Sequence, residues 1–493
     1  MLFNSFSFLI FFPIVTAVFF ILPHRFRWVW LLATSCFFYM FFIPAYILIL
    51  FITILIDYTA GILIERTQGR KRKIYLAVSI ISTCLVLFIF KYYNFFIDNF
   101  NSIADLLHWN YSLNVLMIIL PIGLSFHTFQ SLSYVIEVYR GRVKAERHFG
   151  IYSLYVMFYP QLVAGPIERP QNMLPQFHEK KKFDYERAVS GLRQMLLGLF
   201  KKIFIADRLA VLVGGVYASP ADFHGFPLIF ATILFAFQIY CDFSGYSDIA
   251  LGSARVMGFK LMNNFDRPYF ARSIGDFWRR WHISLSSWFR DYVYIPLGGS
   301  RVPKIYWTLN VLIVFLISGL WHGANWTYVV WGGLHGVFII GESAMALFKN
   351  KIIKAFNLNV ADSVRYIGVF ITFILVSFAW IFFRANSIGE AAYIVENLFV
   401  GIGGQFNHFF IFLSRRESFS RMLSGVWPGA SQIDLMIVSA ALLGLIIFES
   451  KPIFWRKVSE DFNLFRWFVY YAVIILILFF GVFDHSQFIY FQF

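Results

Sequence analysis

The sequence predicts an all-α polytopic membrane protein, and three observations carry that prediction. Hydrophobic residues make up 59% of the 493 and charged residues only 14%, so most of the chain cannot sit in water. Apolar stretches long enough to cross ~30 Å of hydrocarbon recur along its length. Between them the basic residues gather in short loops, as cytoplasmic turns do in a multi-pass chain.

The crossing-length runs lie at 1–22, 44–64, 74–96, 113–139, 190–217, 226–258, 366–387, 433–449 and 467–483. Those at 28–42, 149–167 and 305–345 are too short, too long or too interrupted to be read as single crossings. The first run lacks a basic leading region and a small-residue cleavage site, which makes it a retained helix rather than a signal peptide. Cys36, Cys84 and Cys241 lie in apolar runs without metal-ligand spacing, so they are expected as small buried hydrophobes. There is no 20–50-residue repeat, low-complexity tract or soluble domain. The expected organisation is one transmembrane domain over 1–483 and a short tail over 484–493.

Lys and Arg number 42 against 27 Asp and Glu, a formal charge of +15 that in a soluble protein would suggest nucleic acid. Here topology explains it better. "ERTQGRKRK" (65–73), "RGRVKAER" (140–147), "EKKKFDYER" (179–187), residues 259–304 and "KPIFWRK" (451–457) read as cytoplasmic. "IDNFNSIADLLHWNYS" (97–112) has no Lys or Arg and reads as outside. Counting from these loops puts both termini on the outer face.

Several tracts hold polar residues that hydrocarbon does not tolerate cheaply. "FDRPYFARSIGDFWRRWHISLSSWFRDYVYIPLGGSRV" (265–302) alternates Arg, Trp and apolar residues, which fits helices lying at the cytoplasmic interface. That reading accounts for Trp278, Arg279, Arg280 and Trp281, but not by itself for His282. "LISGLWHGANWTYVVWGGLHG" (316–336) says more. A helix starting near Lys304 sets His322 ~27 Å along its axis, inside the membrane layer, unless Gly319 or Gly323 breaks it. An ionisable group at that depth is a functional candidate, and desolvation favours its uncharged, proton-accepting form. A buried His satisfied by a neighbouring carbonyl is the plainer alternative, and the favoured one for His335.

Two more polar islands stand in apolar surroundings. In "YCDFSGYSDIALG" (240–252), Asp242, Ser244, Ser247 and Asp248 are expected to face a helix bundle or a wet cavity. In "FYPQLVAGPIERP" (158–170), Pro160, Gly165, Pro166 and Pro170 interrupt any helix, which suggests a re-entrant segment beside a cavity. Packing or hydrogen bonding between helices is the alternative for both. The chain has no phosphate-binding glycine loop, no dinucleotide fingerprint, no G-x-S-x-G elbow and no HExxH. A general-base His without a built-in Ser or Cys nucleophile points to an attacking hydroxyl supplied from elsewhere.

"WRRWHISLS", "DYVYIPLGG", "WHGANWTYVVWGGLHG", "CDFSGYSDIALG", "PIGLSFHTFQSLSYVIEVYRG" and "LVAGPIERP" together resemble the membrane-bound O-acyltransferases, and among them the bacterial alginate O-acetyltransferase branch. The likeness runs from the N-terminus to about residue 390. It implies a ring of tilted helices around a central tunnel, in the cytoplasmic membrane of a bacterium. It implies an essential His at His322 and a supporting one at His282. An acyl thioester, acetyl-CoA or another, would enter from the cytoplasm, with no bound cofactor or metal. Arg279, Arg280 and Arg290 become candidates for the donor's phosphates, with lipid headgroups an equal alternative, and Trp278, Trp281, Asp242, Ser244, Trp321 and Asn325 for the lining of the tunnel.

The chain ends "DHSQFIYFQF" (484–493). This resembles a C-terminal aromatic hexapeptide whose Tyr receives the acyl group, here Tyr490. A phenol of pKa ~10 leaves far more readily than a sugar alcohol, so its ester keeps much of a thioester's transfer potential. The implied partner is an extracytoplasmic SGNH-type transferase, and the final acceptor an exopolysaccharide or wall polymer. An aromatic belt at the membrane interface explains the same phenylalanines. Two other functions fit much of the chain: D-alanyl transfer to teichoic acid, and a polytopic transporter or flippase that makes no bonds.

Overall fold

The computed structural model describes the chain except for residues 110, 118–119, 164, 357–362, 416–426, 428–430, 451–462, 484–487 and 490–493. Among the described residues every regular element is a helix. Six helices among the described residues are long and apolar enough to cross a membrane: Pro44–Arg66, Gly69–Leu106, Phe226–Met257, Lys304–His322, Tyr366–Arg384 and Gln432–Ser450. Two shorter apolar helices, Phe6–Ile21 and Leu464–Phe480, correspond to the first and last expected crossings. The chain is thus an all-α multi-pass membrane protein. Of the expected run 113–139, only Leu124–Tyr139 is a helix; Gly123, at φ 80°, begins it in the left-handed conformation that glycine adopts without strain.

The chain divides into two compact units, Met1–Leu197 with Tyr246–Asn263, and Gly198–Gly245 with Asn264–Phe493. In the first, polar groups at helix interfaces pair with one another. Ser79 Oγ donates to Asp57 Oδ1 at 2.6 Å, Thr83 donates to the same carboxylate at 3.1 Å, and Thr53 Oγ1 lies 2.6 Å from His127 Nε2. The proline-broken stretch 158–170 retains one helical turn, Tyr159–Leu162, and is buried by protein wherever described. Its Glu168 accepts from Asn172 Nδ2 at 2.6 Å and from the Met262 N–H. Its backbone is met by protein in turn, the Glu168 carbonyl accepting Tyr155 Oη at 3.0 Å, which is the kind of cover that non-helical backbone needs at membrane depth. Of the three cysteines only Cys241 is buried; Cys84 is exposed and Cys36 intermediate. Where the outer solvent is lipid, a thiol is not driven inward, and the expectation of three buried cysteines fails for that reason.

The second unit is built around the Lys304–His322 helix and the Trp326–Phe356 helix that follows it. The first runs unbroken through Gly319 and stops at Gly323, whose φ of −162° is extended. Asn325 Oδ1 accepts the Thr327 N–H at 3.0 Å and starts the next helix. Gly319 and Gly332 let the two backbones touch: a Cβ on Gly319 would collide with the Tyr328 carbonyl, and one on Gly332 with the Phe315 carbonyl. Close approach through small residues is how helices associate where no water drives them together. Gly332→Val should therefore destabilise by about 2 kcal/mol through overpacking. Gly333→Val is the control, since its Cβ would meet only Leu316 Cδ2, at 3.7 Å. Thermal unfolding in detergent, read as recovery of the monodisperse protein, distinguishes them, with only the Gly332 variant expected to fall.

Candidate active site

His322 is the last residue of its helix and is 3% exposed. Its Nδ1 lies 2.6 Å from the carbonyl of Ser318, one turn back. A carbonyl can only accept, so Nδ1 carries the proton and Nε2 presents the basic lone pair. The position matters too. A helix C-terminus carries partial negative charge, which stabilises an imidazolium as it forms. Aromatic rings surround the imidazole: Trp331 at 4.8 Å, Trp321 at 4.9 Å and Phe383 at 5.7 Å between centroids.

His282 is fully buried and has φ 43°, a conformation rare for a non-glycine residue. The backbone is held there from Asn264, whose carbonyl accepts the Ile283 N–H at 2.9 Å and whose Oδ1 accepts Ser284 Oγ at 2.6 Å. Its ring meets Phe243 edge-on at 4.7 Å and Trp321 at 6.2 Å. Trp321 therefore has one histidine on either side. Burial, reinforced by the nearby His322, holds the His282 imidazolium well below the ordinary histidine pKa and keeps the ring neutral.

A cavity of ≈ 400 Å³ leads toward this pair. Trp307, Val311, Val314, Phe315 and Ser318 form one wall and repeat along a single face of the Lys304–His322 helix. From Trp307 to Ser318 that face runs ~16 Å. Trp278, Ile283, Leu285 and Phe289 contribute opposite it, together with Arg279 and Arg290. The two arginine side chains are 73% and 62% exposed, whereas Ser318 is 4% exposed. The cavity thus joins an exposed cationic region to the turn of helix that ends in His322. Trp278 is fixed by donating its indole N–H to His335 Nδ1 at 3.3 Å. His335 is fully buried, and its Nδ1 partner is this indole in place of the expected neighbouring carbonyl.

The remaining expected residues divide. Arg280 does not line the cavity; its Nε donates to Asp276 Oδ1 at 3.1 Å, one turn back on the same short helix. Trp281 is fully buried in the core, 5.1 Å from Trp380, which in turn stacks on Trp331 at 5.6 Å. Asn325 is engaged in the helix start already described and donates to the Asn386 carbonyl at 3.1 Å. Ser244 is buried, and Asp242 pairs with Lys202 Nζ at 2.7 Å. Tyr490 lies outside the described residues. The two residues before it, Phe488 and Ile489, are buried. Phe488 packs against Phe243 at 5.7 Å, and the Ile489 N–H donates to Asp242 Oδ2 at 2.8 Å. Sequence reasoning missed Lys202, although a lysine inside the apolar run 190–217 was itself a signal.

A family model for the membrane-bound O-acyltransferases (MBOAT) matches residues 146–388. The probable alginate O-acetylase AlgI of Pseudomonas aeruginosa is 37% identical over 407 residues, covering 81% of this chain and 75% of the relative. The peptidoglycan O-acetyltransferase of Helicobacter pylori is 35% identical over 402 residues, covering 76% of this chain and 74% of the relative. The teichoic acid D-alanyltransferase of Streptococcus thermophilus is 30% identical over 281 residues, covering 53% of this chain and 68% of the relative. With a base-ready histidine one helical turn beyond the cavity wall at Ser318, and relatives of this extent, the chain belongs to the membrane-bound O-acyltransferase family and is an O-acyltransferase.

Proposed function

We propose that this protein moves an acetyl group from a cytoplasmic thioester onto its own Tyr490, from which an extracytoplasmic transferase of the SGNH type collects it for an exopolysaccharide or wall polymer. The observation that carries this reading is the burial of Phe488 and Ile489 beside Phe243, the ring that also touches His282. An aromatic belt in the headgroup layer would leave those residues at the surface. The membrane is the bacterial cytoplasmic one, with both termini outside and the 259–304 region inside.

The chemistry follows from the base. His322 Nε2 takes the phenolic proton as the tyrosine oxygen attacks the acetyl carbonyl carbon. A C–O bond forms, the C–S bond breaks, and the departing thiolate recovers the proton from the imidazolium. The helix terminus stabilises that imidazolium in the interval. The acetyl-bearing thiol arm occupies the ≈ 400 Å³ cavity, and Arg279 and Arg290 hold the phosphates of acetyl-CoA or of a carrier-protein arm. In the second transfer a serine of the partner attacks the tyrosyl ester and regenerates the phenol. Acetyl, rather than D-alanyl, is favoured because the two acetylating relatives match more of this chain at higher identity than the D-alanyl relative does.

The deciding experiment supplies radiolabelled acetyl donor to membranes and looks for label on the C-terminal peptide. Label is expected on Tyr490 and should vanish in Tyr490→Phe and His322→Ala. A parent protein that never becomes acylated while polymer decoration continues removes the relay. His322→Gln, which keeps the size but not the basicity, should lower the transfer rate by ~10²–10⁴-fold. Arg279→Ala with Arg290→Ala should instead raise KM for the thioester about tenfold or more, with kcat little changed, as expected for contacts remote from the reacting bond. Initial rates over a range of donor concentration separate the two behaviours.

A further inference from the structure

A buried ion trio sits where the C-terminal segment comes to rest. Lys202 Nζ lies 2.7 Å from Asp207 Oδ1 and 2.7 Å from Asp242 Oδ1, and the three side chains are 1%, 3% and 4% exposed. Two carboxylates thus share one ammonium, and the second oxygen of Asp242 needs a donor of its own. That oxygen takes the Ile489 N–H at 2.8 Å, with Phe488 packed alongside on Phe243. The chain arrives from a helix tied to the π-helical stretch that carries Lys202. Val482 N–H donates to the Ile203 carbonyl at 3.2 Å, and Arg208, just beyond, donates to the Phe480 carbonyl.

We propose that Asp242, held in place by Lys202, is a seat for the chain's own C-terminal segment, a backbone clamp that docks and releases residues 488–489. Asp242 is then a positioning residue for the acceptor tail. The purpose of the seat rests on the tail-acceptor reading above, while the contact itself does not. As packing alone the trio is a poor choice, because well-fitted apolar side chains stabilise an interior as well as a buried ion pair or better. As a grip it suits a segment that must move. A carboxylate accepts from the N–H of any residue but proline, so it holds the main chain irrespective of side chain. Phe488 in its aromatic contact supplies the register. One bond to a charged acceptor shifts a docking equilibrium by about ten- to a hundredfold, enough to seat the tail and little enough to let it leave.

The test uses the full-length protein in detergent micelles with carboxypeptidase, following loss of Phe493 by intact mass. Ile489→Pro deletes the donor N–H, leaves the ion trio untouched and lies four residues from the scissile bond. Asp242→Asn keeps the volume and removes the charge. The seated tail should be trimmed slowly in the parent, about tenfold or more faster in I489P, and faster by a smaller factor in D242N. Equal rates in parent and I489P overturn the seat, and an unchanged rate in D242N assigns the protection to apolar packing and overturns the role of Asp242. The same samples, incubated with acetyl thioester, are weighed for acetyl on Tyr490. A protected tail that is never acetylated leaves the seat standing and removes the relay.

Discussion

The bond between His322 Nδ1 and the Ser318 carbonyl is the contact on which the rest of the site depends. A neutral imidazole has one donor and one acceptor nitrogen, and in a dry interior the donor must be satisfied locally at a cost of ~1–3 kcal/mol if it is not. By committing Nδ1 to its own helix, the chain leaves the basic lone pair on Nε2. The helix ending at that residue adds a further advantage, since its terminal dipole favours the charged ring that proton transfer creates. A catalytic triad obtains the same two effects from an aspartate. Here they come from backbone, which suits a setting where a spare carboxylate would be expensive to bury.

The aromatic surroundings serve that arrangement. Trp281, Trp331 and Trp380 are fully buried and in ring contact, and Trp331 faces His322 directly. Such packing leaves little room for water, the competing nucleophile for any thioester. The same burial, together with the nearby His322, keeps His282 neutral. The left-handed backbone at His282 is strain that the surrounding structure overcomes through Asn264, and non-glycine residues in that conformation concentrate at functional sites.

Much of this was legible in the sequence. Composition fixed the solvent, and the basic loops gave a frame in which an intramembrane His322 stood out. The helix from Lys304 was placed by its apolar run, and Gly323 was one of two glycines suspected of ending it. What was not legible arose from pairings, some local and some distant in the chain, that residue type alone does not announce. Arg280 looks like Arg279 and Arg290 in sequence, and each of the three meets a carboxylate, but Arg280 is largely buried against its partner and stays off the cavity that the other two line. Asn325 sits within the richest motif, and its amide serves the local turn. Periodicity cannot tell Gly319 from Gly333, because the facing helix alone decides which of them is pressed against backbone. Lys202 and Ile489 meet at the same aspartate though 287 positions separate them in the chain.

Three stretches among the described residues, Phe88–Tyr92, Phe200–Ala206 and Arg290–Tyr294, are wound as π-helix, and the second and third hold Lys202 and Arg290 respectively. Each widened turn accommodates one more residue than the ordinary winding would, and such insertions occur mostly at functional positions. Loss of a single codon there would let the coil tighten to the ordinary winding without unravelling it, and the residues on the widened turn itself would shift by up to about 100° about the axis. Both cations owe their bearing to this irregular winding, so these segments should tolerate exchange of side chains far better than any change in their length.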